Sequence, residues 1–112
     1  MHSEKYMSML GLARRAGKLS MGHDMVLEAI KKKKAKLLIF ANNASERLEE
    51  EIGRSADLFA PELPCVRIKE SIDEIHFLLG YKAGVITVND TNFADRIIEL
   101  VNQEENEYGD KN

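Results

Sequence analysis

Near the middle of the chain lies Leu37-Leu-Ile-Phe-Ala41, a continuous apolar run of strand length. A strand without polar alternation is covered on both faces, so this run predicts a central strand between two layers of helices. Asn42 and Asn43 end the run, and either residue can cap a helix that is predicted from about Ser45 to Leu58. A buried strand followed by a helix indicates an α/β fold.

Upstream of this run, the sequence predicts two helices joined by a short extended segment. Residues 4–16 carry apolar side chains at helical spacing, and Gly17 follows as a stop signal. Residues 18–21 are predicted as a short strand, after which Gly22 opens a second helix with an apolar stripe. The chain therefore begins α-β-α before it reaches the central strand.

Downstream of the third helix, the alternation of strands and helices continues. Two prolines within residues 60–64 end that helix, and residues 65–69 alternate as a third strand. Ser71 and Glu74 have capping-box spacing, which predicts a short helix that ends near Gly80. The middle of the chain thus repeats the same strand-to-helix order.

The last part of the chain adds one more strand and one more helix. Residues 84–88 are predicted as a strand, and Asn89 or Asp90 caps a final amphipathic helix. We expect residues 1–101 to form one domain and the polar, acidic residues 102–112 to be a flexible tail. The order α-β-α-β-α-β-α-β-α predicts a three-layer α/β/α sandwich with a mixed sheet of about four strands.

Composition limits the classes to which the protein can belong. Of its 112 residues, 44% are hydrophobic, which suits one globular domain with a continuous core. Cys65 is the only cysteine, so an intramolecular disulfide is excluded, and metal-binding CxxC and HxxxH pairs do not occur. No apolar run approaches the ~20 residues that span a bilayer, and the first residues lack a signal-peptide pattern. We expect a cytoplasmic protein with no cofactor, no metal and no membrane contact.

Charge is divided unevenly along the chain. The net charge is −3, yet residues 1–43 contain nine Lys or Arg against three Asp or Glu. Residues 44–112 contain seven against sixteen. This asymmetry predicts a basic surface that attracts an anion beside an acidic remainder, although solvated faces that segregate by chance give the same pattern.

Few residues of the chain are candidates for catalysis. Nucleophilic catalysis needs a nucleophile, a base and an orienting group that converge in space. Cys65 begins a strand that we expect to be buried, where a thiol acts as a small hydrophobic residue. His2, His23 and His76 are scattered along the sequence, and no glycine-rich phosphate loop occurs. The sequence therefore predicts that the protein is not an enzyme.

The junction Met21-Gly-His-Asp24 is a better candidate site, because it joins a strand to a helix. Ligands of open α/β sheets bind outside the carboxyl ends of strands, where helices present free backbone N–H groups. Gly22 allows a partner to approach the backbone closely, and Asp24 is able to accept hydrogen bonds from a guanine edge. The alternative is that Asp24 only complements the helix dipole, as acidic residues of a first turn commonly do.

The run Lys31-Lys-Lys-Lys34 is the most conspicuous charged segment, but its position weakens it as a binding centre. It ends the second helix, about 15 Å from Gly22 at 1.5 Å per residue. Four consecutive lysines spread around the helix, and they suit the negative end of its dipole. We therefore expect at most a secondary role in contacts with distant phosphates.

Several segments together resemble the ribosomal protein L7Ae and L30e family of kink-turn RNA-binding proteins, in particular its small bacterial members. Residues 17–22 have the family's GKxxxG spacing, and residues 35–43 match its second strand and the following turn. Leu79-Gly80, leading into residues 85–88, resembles its late loop and last strand. The resemblance covers about residues 4–101, nearly the whole chain.

This resemblance implies an α/β/α sandwich that recognises a sharply bent RNA internal loop with tandem sheared G·A pairs. In the family, the start of the second helix faces the G·A pairs, and the loop before the last strand covers a flipped-out nucleotide. Lys18 is expected to meet a phosphate. The RNA-contacting positions of the family correspond here to Lys18, Gly22, His23, Asp24, Met25, Asn42, Asn43, Leu79, Gly80, Tyr81 and Lys82. The implied partner is ribosomal or other non-coding structured RNA, together with ribosome or ribonucleoprotein components.

Some residues depart from the family pattern and keep other functions open. The family motif Gly-x-Asn-Glu is Gly22-His-Asp-Met25 here, and Glu28 stands where many members have Lys. Ile75-His76 replaces a frequent Leu-Gly pair. Met25, Glu28 and the acidic tail motivate the alternative of a protein-interaction adaptor that kept the fold while its RNA face decayed. A third hypothesis is an accessory recognition domain that works with an RNA-modifying enzyme in trans.

Overall fold

The computed structural model describes residues 4–109, with side chains for residues 5–104. Within this part of the chain, helices and strands alternate in the predicted order. The elements are α1 Glu4–Arg15, β1 Leu19–Met21, α2 His23–Lys31, β2 Leu37–Phe40, α3 Glu46–Phe59, β3 Cys65–Arg67, α4 Ile72–Leu79, β4 Val85–Val88 and α5 Thr91–Gly109. No helix within residues 4–109 is both long and apolar enough to cross a bilayer.

The four strands form one mixed sheet in the order β1-β4-β2-β3. β4 pairs antiparallel with β1 on one side and with β2 on the other, whereas β2 and β3 are parallel. β2 and β4 occupy the centre of the sheet, and every residue in both strands is buried. The prediction of a mixed sheet of about four strands is confirmed, as is the central position of the apolar run.

Helices cover both faces of the sheet. Ile39 and Ile86 belong to a core cluster with residues of α1, α4 and α5, whereas Leu38 and Val85 pack with α2 and α3 on the opposite face. Successive residues of a strand point to opposite faces, so each central strand contributes to both clusters. This arrangement confirms the predicted three-layer α/β/α sandwich.

The helix caps differ in part from the prediction. The cap of α3 is Ser45, whose Oγ accepts a hydrogen bond from the Leu48 N–H at 3.1 Å, so the prediction that Asn42 or Asn43 caps this helix was wrong. Ser45 directly precedes the first helical residue and has an extended backbone, which is the geometry of an N-cap. The Ser71 and Glu74 capping box of α4 is confirmed.

The expectation about the exposure of Cys65 also needs revision. Cys65 lies on β3, which is an edge strand that pairs only with β2, so this residue is exposed and the expectation that it is buried was wrong. Partial burial of its sulfur nevertheless raises the pKa of the Cys65 thiol.

At the other end of the chain, α5 continues to Gly109 through most of the segment expected to be a flexible tail. Residues 110–112 of that segment lie outside the described residues.

The strand directions give the sheet two distinct ends. Met21, Phe40 and Arg67 finish β1, β2 and β3 at the same end, because Met21 pairs with Ile86 and Phe40 pairs with both Val85 and Arg67. We call this end, where β4 begins, the carboxyl end of the sheet. The opposite end, where β1, β2 and β3 begin and β4 finishes, is the amino end.

Candidate functional site

Most of the predicted site residues converge at the carboxyl end of the sheet. Residues 22–25 follow β1, and Asn42 and Asn43 follow β2. Residues 79–82 comprise the last residue of α4 and the first part of the loop that leads to β4; we call this segment the loop of residues 79–82. Lys18 is the exception, since it precedes β1 and lies at the amino end, about 13 Å from Gly22 along an extended strand. The structure therefore separates the two ends of the GKxxxG segment.

Gly22 is the point at which strand β1 turns into helix α2. Its φ of 93° and ψ of 164° lie in a region that only glycine adopts without strain. The Gly22 N–H donates to the Val85 carbonyl at 3.0 Å, and no side chain caps the helix that starts here. The first N–H groups of α2 therefore face the carboxyl end of the sheet without a side-chain acceptor at the cap, which is the arrangement that favours an anion.

Tyr81 joins this junction to the loop before β4. A Cβ built on Gly22 would lie 3.5 Å from the Tyr81 hydroxyl oxygen, so the ring edge packs directly over the glycine. The Tyr81 side chain remains 45% exposed. The two segments that the resemblance assigned to RNA therefore form one continuous surface.

The first turn of α2 carries an exposed acceptor. The imidazole of His23 lies between two carboxylates, with Nδ1 3.1 Å from Asp24 Oδ1 and Nε2 3.1 Å from Glu51 Oε1 on α3. The Asp24 side chain is 97% exposed, and Met25 beside it is also exposed. Both roles that the sequence leaves open for Asp24, contact with a ligand and a favourable interaction with the helix dipole, fit this position.

The loop of residues 79–82 is fixed from two directions. The Arg14 guanidinium on α1 donates a hydrogen bond to the Leu79 carbonyl at 2.7 Å, and Gly80 ends α4 with a φ of 82°. Leu79 itself is buried in the core, so its side chain does not face a ligand. Lys82 Nζ lies 3.9 Å from Asp73 Oδ1. Tyr81 and Lys82 are thus the exposed side chains of this loop.

The turn after β2 uses its asparagines mainly to hold the backbone. The Asn43 side chain accepts a hydrogen bond from the Ile72 N–H at 2.9 Å, so it holds the start of α4, which Ser71 caps, and does not cap α3. Arg67 donates to the carbonyls of Ala41 and Asn42 at 3.2 and 3.1 Å and also pairs with Glu49. The two asparagines are exposed, but their turn is already stabilised from within the protein.

A buried pair supports the same turn from below. The Tyr6 hydroxyl donates to Glu70 Oε1 at 2.6 Å, and the Asn42 N–H donates to the Glu70 carbonyl at 2.8 Å. Burial, and then the hydrogen bond to Glu70, raise the pKa of Tyr6 far above its usual range, so the phenol stays a donor. No group of three or more His, Cys, Asp or Glu side chains among the described residues is arranged to hold a metal ion.

Residues 4–74 match the model of the Ribosomal protein L7Ae/L30e/S12e/Gadd45 family. The chain belongs to this family. The resemblance inferred from the GKxxxG segment and the second strand is therefore confirmed. The match ends at residue 74, so the loop of residues 79–82 lies beyond it.

Two proteins named RNA-binding protein YlxQ are relatives of this L7Ae-family chain. The one from Enterococcus faecium is 33% identical over 98 residues, which covers 88% of this chain and 92% of that protein. The one from Bacillus subtilis (strain 168) is 27% identical over 106 residues, with 90% and 99% coverage. A solved structure of a protein with unknown function from Bacillus halodurans C has the same fold, with a TM-score of 0.78 at 23% identity, over 88% of this chain and 97% of that one.

Sequence reasoning missed three side chains that organise this L7Ae-family site. Arg14 holds the loop before β4, Glu51 orients His23, and Arg67 closes the turn after β2. Each acts on a residue 25 or more positions away, and Arg14 acts across 65 positions. No local pattern indicates such pairs, because they depend on how the layers pack.

Proposed function

We propose that this protein binds structured RNA and reads a kink-turn-like internal loop with the carboxyl end of its sheet. The observation that carries the proposal is the contact between Gly22 and Tyr81, which makes one surface of the start of α2 and the loop before β4. Family membership and the two relatives named as RNA-binding proteins support it. We infer that the protein acts in the cytoplasm as a ribosome-associated or other ribonucleoprotein component, without catalysis of its own.

The start of α2 supplies two complementary kinds of contact. Its backbone N–H groups, at the positive end of the helix dipole, suit a phosphate that passes close to Gly22. The exposed carboxylate of Asp24 suits the N–H donors on the edge of a guanine, which a sheared G·A pair leaves accessible in a widened groove. Met25 offers exposed apolar surface beside them. Under this proposal the helix binds both the backbone and one base edge.

The loop before β4 supplies the cover over an unpaired nucleotide. The exposed part of the Tyr81 ring offers a stacking surface, and stacking of a base on an aromatic side chain contributes about 1–3 kcal/mol. Lys82 adds a positive charge that reaches phosphate once its long contact with Asp73 is given up. Arg14 keeps this loop in place through the Leu79 carbonyl.

A titration with two matched RNAs tests the proposal. One RNA contains a kink-turn, and in the other the G·A pairs are replaced so that the bend is lost. We expect the protein to prefer the kink-turn, and we expect Asp24→Ala to reduce the ratio of the two affinities about tenfold, as loss of a charged hydrogen bond predicts. Asp95→Ala removes an equal charge from an exposed site on α5 and is the control.

The ratio of the affinities for the two RNAs distinguishes the possible outcomes of the titration. Removing a carboxylate lowers repulsion of any RNA, so the absolute affinity alone does not report on base reading. Absence of binding to either RNA at low salt would overturn the RNA proposal. Equal binding to both would retain RNA as the ligand but remove kink-turn reading. A ratio that Asp24→Ala leaves unchanged would place the site elsewhere.

A protein-interaction adaptor is the second candidate, and exposed apolar residues on α4 favour it. Phe77 is 87% exposed and Leu78 is 47% exposed, although large apolar side chains usually lie inside a fold. Pull-down from cell extract with and without ribonuclease discriminates the two functions. A protein partner that survives digestion and is lost with Phe77→Ser supports the adaptor. Capture that depends entirely on RNA supports the first proposal.

A further inference from the structure

Six lysines from three segments come together at the amino end of the sheet, opposite the proposed RNA site. One lysine precedes β1, four lie at the end of α2 and in the turn that follows it, and one precedes β2. They are Lys18, Lys31, Lys32, Lys33, Lys34 and Lys36. Five of these lysines are neighbours in the sequence, within residues 31–36. Lys18 lies near them only because β1 pairs with β4, which also pairs with β2.

Backbone hydrogen bonds fix the relative positions of these segments. The Lys36 N–H donates to the Val88 carbonyl at 2.8 Å, and the Lys18 carbonyl accepts from the Asn89 N–H at 2.7 Å. β1 and β2 flank β4 on its two sides, so the backbones of Lys18 and Lys36 are two strand spacings apart, about 10 Å. The Lys34 N–H donates to the Ala29 carbonyl at 2.9 Å, which folds the end of the lysine run back onto α2.

The end of α2 departs from the usual preference for glycine. Lys33 has a φ of 61°, in the left-handed region that glycine ordinarily occupies after a helix, and this conformation costs about 1–2 kcal/mol for other residues. Lys33 Nζ donates to the Phe59 carbonyl at 2.7 Å, so this ammonium group ties the turn to the end of α3. The backbone turn at Lys33 is therefore tied to the end of α3.

Four of the lysines are available to a partner. Lys32 pairs with Glu28 at 2.6 Å, and Lys33 is bound to Phe59. The other four are exposed, and no acidic side chain within residues 5–104 forms an ion pair with them. These are Lys18, Lys31, Lys34 and Lys36.

Of the acidic groups at this end, Glu28 also attracts Lys34 but forms no ion pair with it. Asp90 uses its Oδ1 to accept the Phe93 N–H at 3.0 Å, which caps α5. Glu62 lines an open groove of ~640 Å³ together with Lys33 and Lys36 and forms no ion pair with either lysine. Lys18, Lys31 and Lys34 lie outside this groove, so the positive charge extends beyond what one bound peptide segment would cover.

We propose that this lysine cluster binds the phosphate backbone of a second RNA segment, so that one molecule holds two RNA segments at opposite ends of its sheet. An ammonium group is a compact charge that contacts phosphate without a fixed orientation, and backbone contacts carry no sequence information. A duplex carries the denser phosphate charge, so the segment that we propose here is a plain duplex. The two surfaces are separated by the length of α2, about 14 Å. This function rests on the proposed binding of RNA at the carboxyl end of the sheet, but it does not require that end to select a bent loop.

Energy transfer between two labelled RNAs tests the proposal with the full chain. A kink-turn RNA carries the donor fluorophore and a plain duplex carries the acceptor. We expect transfer with the natural protein and its loss with Lys34→Gln/Lys36→Gln. The double variant lowers affinity for plain duplex about tenfold at low salt and reduces the slope of log K against log salt by about 0.7–0.9 per phosphate contact. Lys5→Gln/Arg54→Gln removes the same charge from exposed sites elsewhere and keeps both properties.

Three results decide the proposal. Equal loss of duplex binding in the two double variants would overturn it, because general charge would then explain the binding. Displacement of the duplex by polyglutamate as effectively as by a second duplex would also overturn it in favour of an acidic peptide. If the protein fails to distinguish a kink-turn from its disrupted control but still joins two plain duplexes through the lysine cluster, the reading function fails and this proposal stands.

Discussion

The two ends of helix α2 differ in almost every property that governs RNA binding. The amino-terminal end has a glycine in a conformation closed to other residues, an uncapped helix start and an exposed carboxylate, but no lysine. The carboxyl-terminal end has four lysines in a row and ends in a fixed turn. The amino-terminal end presents hydrogen-bonding groups with fixed directions. The carboxyl-terminal end presents ammonium charges, which bind anions without a fixed orientation.

Under the two proposals, positive charge and recognition of RNA shape lie in different parts of the same domain. Contacts to phosphate supply affinity that depends on salt, whereas donors and acceptors placed by the backbone supply selection between RNA shapes. The charge distribution along the sequence indicates the lysine run, but the fold brings the two predicted RNA-contacting loops together at the other end.

Gly22→Ala is the substitution with the largest expected effect on this comparison. Because Gly22 has a φ of 93° and a ψ of 164°, an alanine there is strained, and we expect the free energy of unfolding to fall by about 1–3 kcal/mol. The new Cβ lies in ordinary contact with Tyr81, so the cost arises from the backbone. Urea unfolding measures the stability, and titration of kink-turn RNA should show lost preference over the disrupted control.

Gly53→Ala is the matched control for that experiment. Gly53 lies within α3, and a Cβ there would have no atom within 4 Å. We expect this variant to gain about 0.5–1 kcal/mol in stability, because alanine is the better helix former. Equal effects of the two substitutions would contradict the special role given to Gly22.

Arg14→Met is expected to have a smaller effect than Gly22→Ala on the same surface, at the carboxyl end of the sheet. It removes the hydrogen bond to the Leu79 carbonyl but keeps most of the apolar side chain. We expect kink-turn affinity to fall about fivefold, corresponding to ~1 kcal/mol for one hydrogen bond, while affinity for plain duplex stays the same. Arg15→Met removes the neighbouring exposed charge and serves as the control; a like change in that variant would point to general charge loss.

Glu28→Gln is the corresponding test at the lysine end, with the smallest expected effect. The hydrogen bond from Lys32 lowers the pKa of the Glu28 carboxyl, so the ion pair persists until the pH falls through that lowered pKa. Removing the carboxylate frees Lys32, and we expect duplex affinity to rise about twofold at low salt. Kink-turn selectivity should not change. A decrease in duplex affinity would contradict the account of the cluster.

Sequence reasoning recovered the fold because its signals are local. The apolar run of β2, the capping box at Ser71 and Glu74, and the stop signals identify the elements in order. The exposure of Cys65 was not recoverable, because position at the edge of a sheet depends on which strands pair. A three-residue strand gives too short a pattern to distinguish an edge from the centre.

The sequence predicted which segments form the candidate site, but it did not predict the contacts between them. Glycine before a helix indicated the junction at Gly22, and the family resemblance added the loop before β4. The packing of Tyr81 on Gly22 and the bond from Arg14 join residues far apart in the chain. The separation of Lys18 from Gly22 follows from strand direction, which spacing in a motif does not report.

Backbone amide shifts recorded during titration with kink-turn RNA report which end of α2 binds the bent loop. We predict that the largest shifts occur at residues 22–25 and 79–82, and that residues 31–36 and Lys18 respond only when plain duplex is added afterwards. Shifts that are confined to residues 31–36 on addition of kink-turn RNA would contradict the account, because the lysine end of α2 would then bind the bent RNA as well.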